Sequence, residues 1–382
     1  MESRPSLFDP AELTRNAAYM VGPRVYQLTH VPEGPVRFLI LGCHGNGKQS
    51  QRDTAALMNE TVLSLQKSGE VLPSLILYAG DNLYDYGVTD PAAQAFYDNY
   101  HDIYYDEGLT GINSLPGCLL LGNHDENYSE LVRQAASLNI VSQGEGRGIN
   151  QAAHTYLGKS EKKITKKLSL FTKPELPIEK LGQWNMPYLF YSLVLGNTQI
   201  FMLNSNSYPK DYLQYVTGQT RNGVNLSDNR TNQAAWLEDV YKTALANGKQ
   251  IFIVQHHPLA VCGKRSFPAK YDARHYLYQD QINQLNAELK KLNPAHRATQ
   301  SYNELLALIY QQQNINPQLV LCAHEHFLSW RNDFEKMGYT HLPPQFTAGG
   351  GGGKLDARYS YRDHPYVGLN QQQHGFGMVT CD

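Results

Sequence analysis

Short apolar runs alternate along this chain with longer segments of helical periodicity. VRFLIL (36–41), SLILYA (74–79), GCLLL (117–121), LFYSLVL (189–195), TQIFML (198–203), QIFIV (250–254) and QLVLCA (318–323) have the length and Val/Ile/Leu/Phe content of strands buried on both faces. The pattern between them predicts helices over 51–67, 91–106, 128–138, 232–247, 278–292 and 300–313. In NQAAWLEDVYKTALANGK the apolar positions Ala235, Leu237, Val240, Tyr241 and Leu245 share one face, and Gly248 marks the stop. LFYSLVLGNTQIFML reads as a hairpin turning at Gly196-Asn197, so a sheet built from these strands is mixed. The alternation as a whole predicts the α/β class. Loop-rich tracts fall at 140–187, 204–231 and 342–374, and neither an internal repeat nor a linker divides the chain. One domain with large loops follows.

Composition narrows the function classes. The 382 residues are 41% hydrophobic, enough for a large core, and a net charge of −2 leaves no footprint for a nucleic-acid partner. The basic run KSEKKITKK (159–167) fits a solvated face as well as an anionic partner. Five cysteines (43, 118, 262, 322, 381) lack C-x-x-C spacing, which favours thiols over a disulfide framework and a reducing compartment. MESRPSLFDPAELTRN has no apolar core of an intact secretory signal, and no apolar run reaches membrane-spanning length. The expectation is a soluble chain, cytosolic or exported by a non-classical route.

The chemistry sits where the apolar runs end. VRFLIL runs into GCHGNGK, SLILYA into GDNLY, GCLLL into GNHD, QIFIV into QHHP, and QLVLCA into HEH. Open α/β sheets place ligand sites at the carboxyl ends of their strands. Asp81, Asn123, His256, His324 and His326 are oxygen and imidazole donors, a set suited to borderline divalent metals or iron. GCHGNGK also fits the start of a P-loop, G-x-x-x-x-G-K, but Lys48 is followed by Gln49 where a nucleotide site has Ser or Thr. SLILYAGD could pose as the acidic strand end of such a site, but that reading leaves GNHD, HHP and HEH without a role.

The order GD-x-x-Y, GNHD, H-x-P, H-x-H resembles the calcineurin-like metallophosphoesterases, and the Tyr of GDNLYDYG brings it nearest to the purple acid phosphatases. FYDNYHDIYYDEGLTGINSLPGCLLLGNHD (96–125), GQWNMPYLFYSL (182–193), QAAWLEDVY (233–241) and QHGFGMVTCD (373–382) share the resemblance. It implies a four-layer sandwich of two mixed sheets flanked by helices, with residues 1–34 an N-terminal extension. Residues 35–382 would form a single domain with insertions near 126–183 and 263–316. It further implies a centre of two di- or trivalent ions (Fe, Mn or Zn). Asp81 would bridge them; Asn123, His256 and His324 would complete one site, and Tyr84 and His326 would belong to the other. His124 would stabilise or protonate the leaving oxygen, with Asp125 orienting it, while a metal-activated hydroxide attacks phosphorus in line. His257 is a candidate substrate contact.

One departure matters. The first motif of such enzymes supplies Asp, and here Cys43 stands in its place; a shift of one residue offers His44 instead. Cys43 can ligate as a thiolate, His44 as an imidazole, or the first site is weakened. The expected activity is hydrolysis of a phosphomonoester, small or carried on a phosphoprotein. The alternative is a pseudo-phosphatase that binds a phosphorylated partner. The pattern is also faintly similar to phosphatases that intracellular bacteria such as Legionella inject into hosts.

Overall fold

Strict alternation along the central strands sets the layers. The computed structural model describes residues 24–31, 33–126, 145–155, 171, 173–218, 220–221, 224–225, 232–261, 272–332, 334–337, 342–356 and 370–381. In β10 (Gln250–Val254), Phe252 and Val254 enter a core between two sheets, while Ile251 and Ile253 enter a second core beneath helices. Ile200 and Met202 of β7 (Thr198–Met202) likewise face the first core, and Phe201 the second. A strand buried on both faces needs apolar side chains at every position, which is why these segments read as unbroken apolar runs.

The larger sheet has nine strands. In the order they pair, these are β14 (Asn370–Gln371), β12 (Leu328–Arg331), β13 (Gln345–Ala348), β11 (Leu319–Cys322), β10, β7, β6 (Tyr191–Leu195), β1 (Val25–Thr29) and β5 (Glu175–Pro177). The smaller sheet pairs β15 (Gly377–Cys381), β2 (Val36–Leu41), β3 (Leu75–Tyr78) and β4 (Gly117–Leu119). Both sheets are mixed. β2, β3 and β4 run parallel, as do β7, β10 and β11, whereas β15 is antiparallel to β2 and β6 to β7. Phe38 and Phe252 meet edge-on across the gap between sheets, ring centroids 5.9 Å apart. Outside the smaller sheet lie α1 (Gln49–Ser68) and a turn of π-helix at Tyr97–His101. Outside the larger one lie α3 (Tyr208–Thr217), α4 (Gln233–Ala246), α5 (Gln279–Leu292) and α6 (Tyr302–Gln312). This is the expected four-layer sandwich, and the hairpin at Gly196, φ +55°, is in place.

Several expectations need correction. The helix expected over 91–106 runs only over 95–104, because Ala92 N–H is drawn to Asp90 Oδ1 and Pro91 O accepts from His154 Nδ1, which fixes the segment before it. Helices occupy two tracts that looked loop-rich: α2 (Glu145–His154) and α3. α2 hides behind glycine, and at Gly148 a Cβ would come within 2.5 Å of Leu121 Cδ1, so the residue permits close packing against the GNHD segment. α3 hides behind Pro209, which sits in its first turn where its missing N–H costs nothing. β1 lies within the segment 1–34 set apart in the sequence and pairs with both β5 and β6. The helix expected at 128–138 and the basic run 159–167 lie outside the described residues.

Candidate metal centre

Five strand-end loops meet at one edge. Those after β2, β3 and β4 come from the smaller sheet, and those after β10 and β11 from the larger. Three residues that open such loops, Cys43, Asp81 and His324, share left-handed backbone (φ +54°, +56° and +66°). That conformation costs a residue with a Cβ roughly 1–2 kcal/mol. Such strain gathers where side chains must be aimed rather than merely packed.

Asp81 stands at the centre, 1% exposed, and its two oxygens serve different groups. Oδ1 accepts from His124 N–H at 3.0 Å and lies 3.4 Å from His256 Nε2. Oδ2 accepts from Tyr84 Oη at 2.8 Å. Burial pushes its pKa up, but the neighbouring His256 and His124 rings and the Tyr84 hydrogen bond win, and the carboxyl is held well below its usual range.

On the Oδ1 side, Asn123 Oδ1 lies 3.0 Å from His256 Nε2 and 2.9 Å from His324 Nδ1, and those two nitrogens are 3.0 Å apart. His256 Nδ1–H donates to Ala79 O at 2.8 Å, which leaves a lone pair on Nε2. With neutral imidazoles, His324 Nδ1 can bring at most one proton to three acceptors, Asn123 Oδ1, His256 Nε2 and Asp81 Oδ1. Two donors about 2.1 Å from one ion and at right angles are about 3 Å apart, the spacing seen here. On the Oδ2 side, His326 Nδ1–H donates to Lys354 O at 2.7 Å, so its Nε2 lone pair faces Tyr84 Oη at 3.2 Å. Burial, then Asp81 and Cys43, pushes the Tyr84 phenol well above its ordinary pKa. Both donor sets therefore fit a divalent cation better than they fit one another.

His124 stands beside these sets. Its Nδ1–H donates to Asp85 O at 2.7 Å, and its ring lies 4.6 Å from that of Tyr84. Cys43 is fully buried, and its Sγ, an Asp81 oxygen and a His256 nitrogen all lie within 4.8 Å of one another.

Three expected roles are not what the structure shows. His44 turns away from the cluster into a nest of Tyr78, Tyr100 and Tyr104 rings, with Nε2 3.3 Å from Asn82 Oδ1. Burial there lowers its pKa to about 4. Asp125 does not orient His124. Its carboxylate accepts from Gly122 N, Asn82 N, Leu83 N and Gln151 Nε2 at 2.8–3.0 Å and ties the GDN loop to the GNHD loop. His257 has both ring nitrogens occupied, by Ser205 Oγ at 2.9 Å and Tyr276 Oη at 2.8 Å, and buttresses His324 from behind instead of facing substrate.

The P-loop reading also ends here. Amides 42–48 are all taken by the protein's own acceptors: Ala348 O, Gly80 O, Asp81 O (twice), His44 O, Gln51 Oε1 and Asn46 Oδ1. None is left to cradle a phosphate.

Sequence reasoning passed over the glycine run 349–353. Gly351 N donates to Gly42 O and Gly353 N to Cys43 O, while a Cβ at Gly349 would lie 1.9 Å from Glu325 O. Asp356 follows and accepts from His326 N–H at 3.1 Å. Five consecutive glycines were the available signal.

The fold and the donor set are those of a metal-dependent hydrolase. The chain belongs to the calcineurin-like phosphoesterase family, whose model matches residues 36–328, and with it comes a divalent metal centre. No curated protein matches it by sequence. Similar solved structures include GAP50, the anchor in the inner membrane complex of Plasmodium (14% identity, 91% of this chain and 81% of that one, TM-score 0.45). Another is the purple acid phosphatase PPD1 of yellow lupin (11% identity, 92% of this chain and 50% of that one, TM-score 0.46). PhoD is a third (14% identity, 94% and 65%, TM-score 0.45). At that distance the likenesses bear on none of the site's chemistry.

Proposed function

We propose that the chain is a metal-dependent phosphatase that hydrolyses phosphomonoesters, small or protein-borne. The observation that carries this is the division of Asp81, one oxygen toward Asn123, His256 and His324 and the other toward Tyr84 and His326. Divalent ions held between such sets polarise phosphoryl oxygens and bring the pKa of water toward neutrality. The protein's share is to aim the donors. Ala79 O and Lys354 O fix which nitrogen of His256 and of His326 faces the centre. His124 is fixed the same way by Asp85 O, so its Nε2 is the atom that can give a proton to the departing alcohol oxygen.

The test is hydrolysis of p-nitrophenyl phosphate by protein stripped of metal and reloaded in turn with manganese, zinc or iron. Activity should depend on the added ion. It should fall at least about a hundred-fold in Asp81→Asn, the upper range for losing even a residue that only supports a ligand. A wild-type protein that takes up these ions and stays inactive with every one would sink the proposal. If it also bound a phosphopeptide, the pseudo-phosphatase reading, which Cys43 favours, would replace it.

A further inference from the structure

We propose that Cys43 is itself a ligand, joining Asp81 and His256 at the centre with sulfur and selecting a soft or borderline divalent ion, zinc or ferrous iron, over manganese or ferric iron. The inference rests on the metal centre argued above. It concerns what this chain holds there, which none of the other donors decides.

The position of the sulfur is built. Cys43 N–H donates to Gly80 O at 2.9 Å and its carbonyl accepts from Gly353 N–H at 2.8 Å, so left-handed backbone is pinned from two loops and the Cβ has one direction. That direction brings Sγ into one group with Asp81 and His256, all within 4.8 Å. Ligands of sulfur and of nitrogen or oxygen on one ion are roughly 3–4.5 Å apart, so little movement is needed. His324 N–H points at Sγ, 3.1 Å away.

Cys118 and Cys322 show what a structural cysteine looks like here. Cys118 is buried in apolar surroundings that push its thiol to about 12, and Cys322 Sγ lies against Phe346 O and Thr347 Oγ1. Cys43 Sγ instead shares one cluster with the Asp81 carboxylate and the His256 ring. Hard oxygen sets suit manganese and ferric iron, and exchanging one carboxylate for a thiolate turns the preference toward softer ions.

Cobalt(II) reports sulfur ligation directly and without any turnover. Stripped full-length protein loaded with cobalt should show the near-ultraviolet sulfur-to-cobalt charge-transfer band together with visible d–d bands. In Cys43→Ser and Cys43→Asp the charge-transfer band should vanish and the d–d bands persist. In competition dialysis against equal zinc and manganese, the wild type should retain zinc, and Cys43→Asp should shift toward manganese. Visible bands without charge transfer in the wild type overturn the thiolate and leave the metal centre standing. A charge-transfer band that survives in both variants belongs to another cysteine and also overturns it. Absence of all cobalt bands removes the centre itself, and with it the function proposed above. The wild-type spectrum decides even if one variant fails to fold.

Discussion

His124 is held at two points, its backbone N–H on Asp81 Oδ1 and its Nδ1–H on Asp85 O. Only Nε2 is left to act, and a proton donor matters most when the departing oxygen is a poor leaving group. His124→Asn should therefore lower kcat on an alkyl phosphate by roughly 10²–10⁴-fold. It should lower it much less on p-nitrophenyl phosphate, whose anion leaves unaided. Steady-state kinetics on both substrates checks this, and equal losses would show that His124 does not act as an acid. Glu126, just beyond, is 6% exposed, with Oε1 on Asn204 Nδ2 and, among the described residues, no hydrogen-bond partner for Oε2. Burial first, then the nearby Asp125 and Asp211 charges, pushes its pKa from 4.5 up to about 7 against the pull of Asn204 and Asn206. The folded state thus keeps this proton over a range in which the unfolded chain has lost it. The linked stability is full below the unfolded value and is lost as pH rises toward 7, by up to roughly 3 kcal/mol. In urea unfolding at pH 4.5 and pH 7.5, Glu126→Gln should gain on wild type at the higher pH. Parallel pH curves for the two proteins would refute the assignment.

At the scale of elements, the aiming depends on two segments that carry no ligand. α2 faces the segment after Tyr84 with a ladder of side chains. Arg147 donates to Tyr86 O, Asn150 to Val88 O and His154 Nδ1–H to Pro91 O, while Gln151 joins Asp125 to Asn82. The glycine run 349–353 threads between the loops after β2 and β11. Gly349→Ala would drive a methyl group against Glu325 O and must displace the HEH loop, whereas at Gly196 a Cβ meets nothing within 4 Å. Gly196→Ala then costs only the left-handed backbone, about 1–2 kcal/mol. Gly349→Ala should also weaken metal affinity by about 10–100-fold, as losses of ligand support do. Titration with zinc or cobalt separates the two variants, and equal affinities would mean the glycine run serves stability alone. The strands, the hairpin and most donors were legible in the sequence because each has a local signature, an apolar run or a strand-end polar cluster. α2 and α3 were not, since Gly148 and Pro209 have reasons, close packing and a first-turn position, that only the partners reveal. The choice between Cys43 and His44 was illegible for a similar reason. Backbone handedness at residue 43 sends one side chain into the site and the next into the tyrosine nest, and periodicity does not encode it.

For the whole molecule, the centre is a junction between the two sheets. Cys43, Asp81 and Asn123 follow strands of the smaller sheet, and His256, His324 and His326 follow strands of the larger. Elsewhere the sheets meet through apolar contacts such as Phe38 on Phe252. At this edge, facing donors with too few protons to share repel one another until a cation intervenes. An ion that binds only the folded chain adds RT ln(1 + [L]/Kd), about 2.7 kcal/mol at a hundred times Kd. In a protein of this size that raises Tm by several degrees. Differential scanning calorimetry should therefore show a clear fall in Tm on chelation of wild-type protein and recovery on adding zinc. Asp81→Asn, which loses charge on both sides of the junction, should lose most of that response. Asn123→Ala removes a donor from one side only and should retain part of it. A wild-type Tm that does not respond to chelator or added metal would mean that the ions, if bound, do not hold the sheets together, and the edge would have to be stabilised by the loops alone.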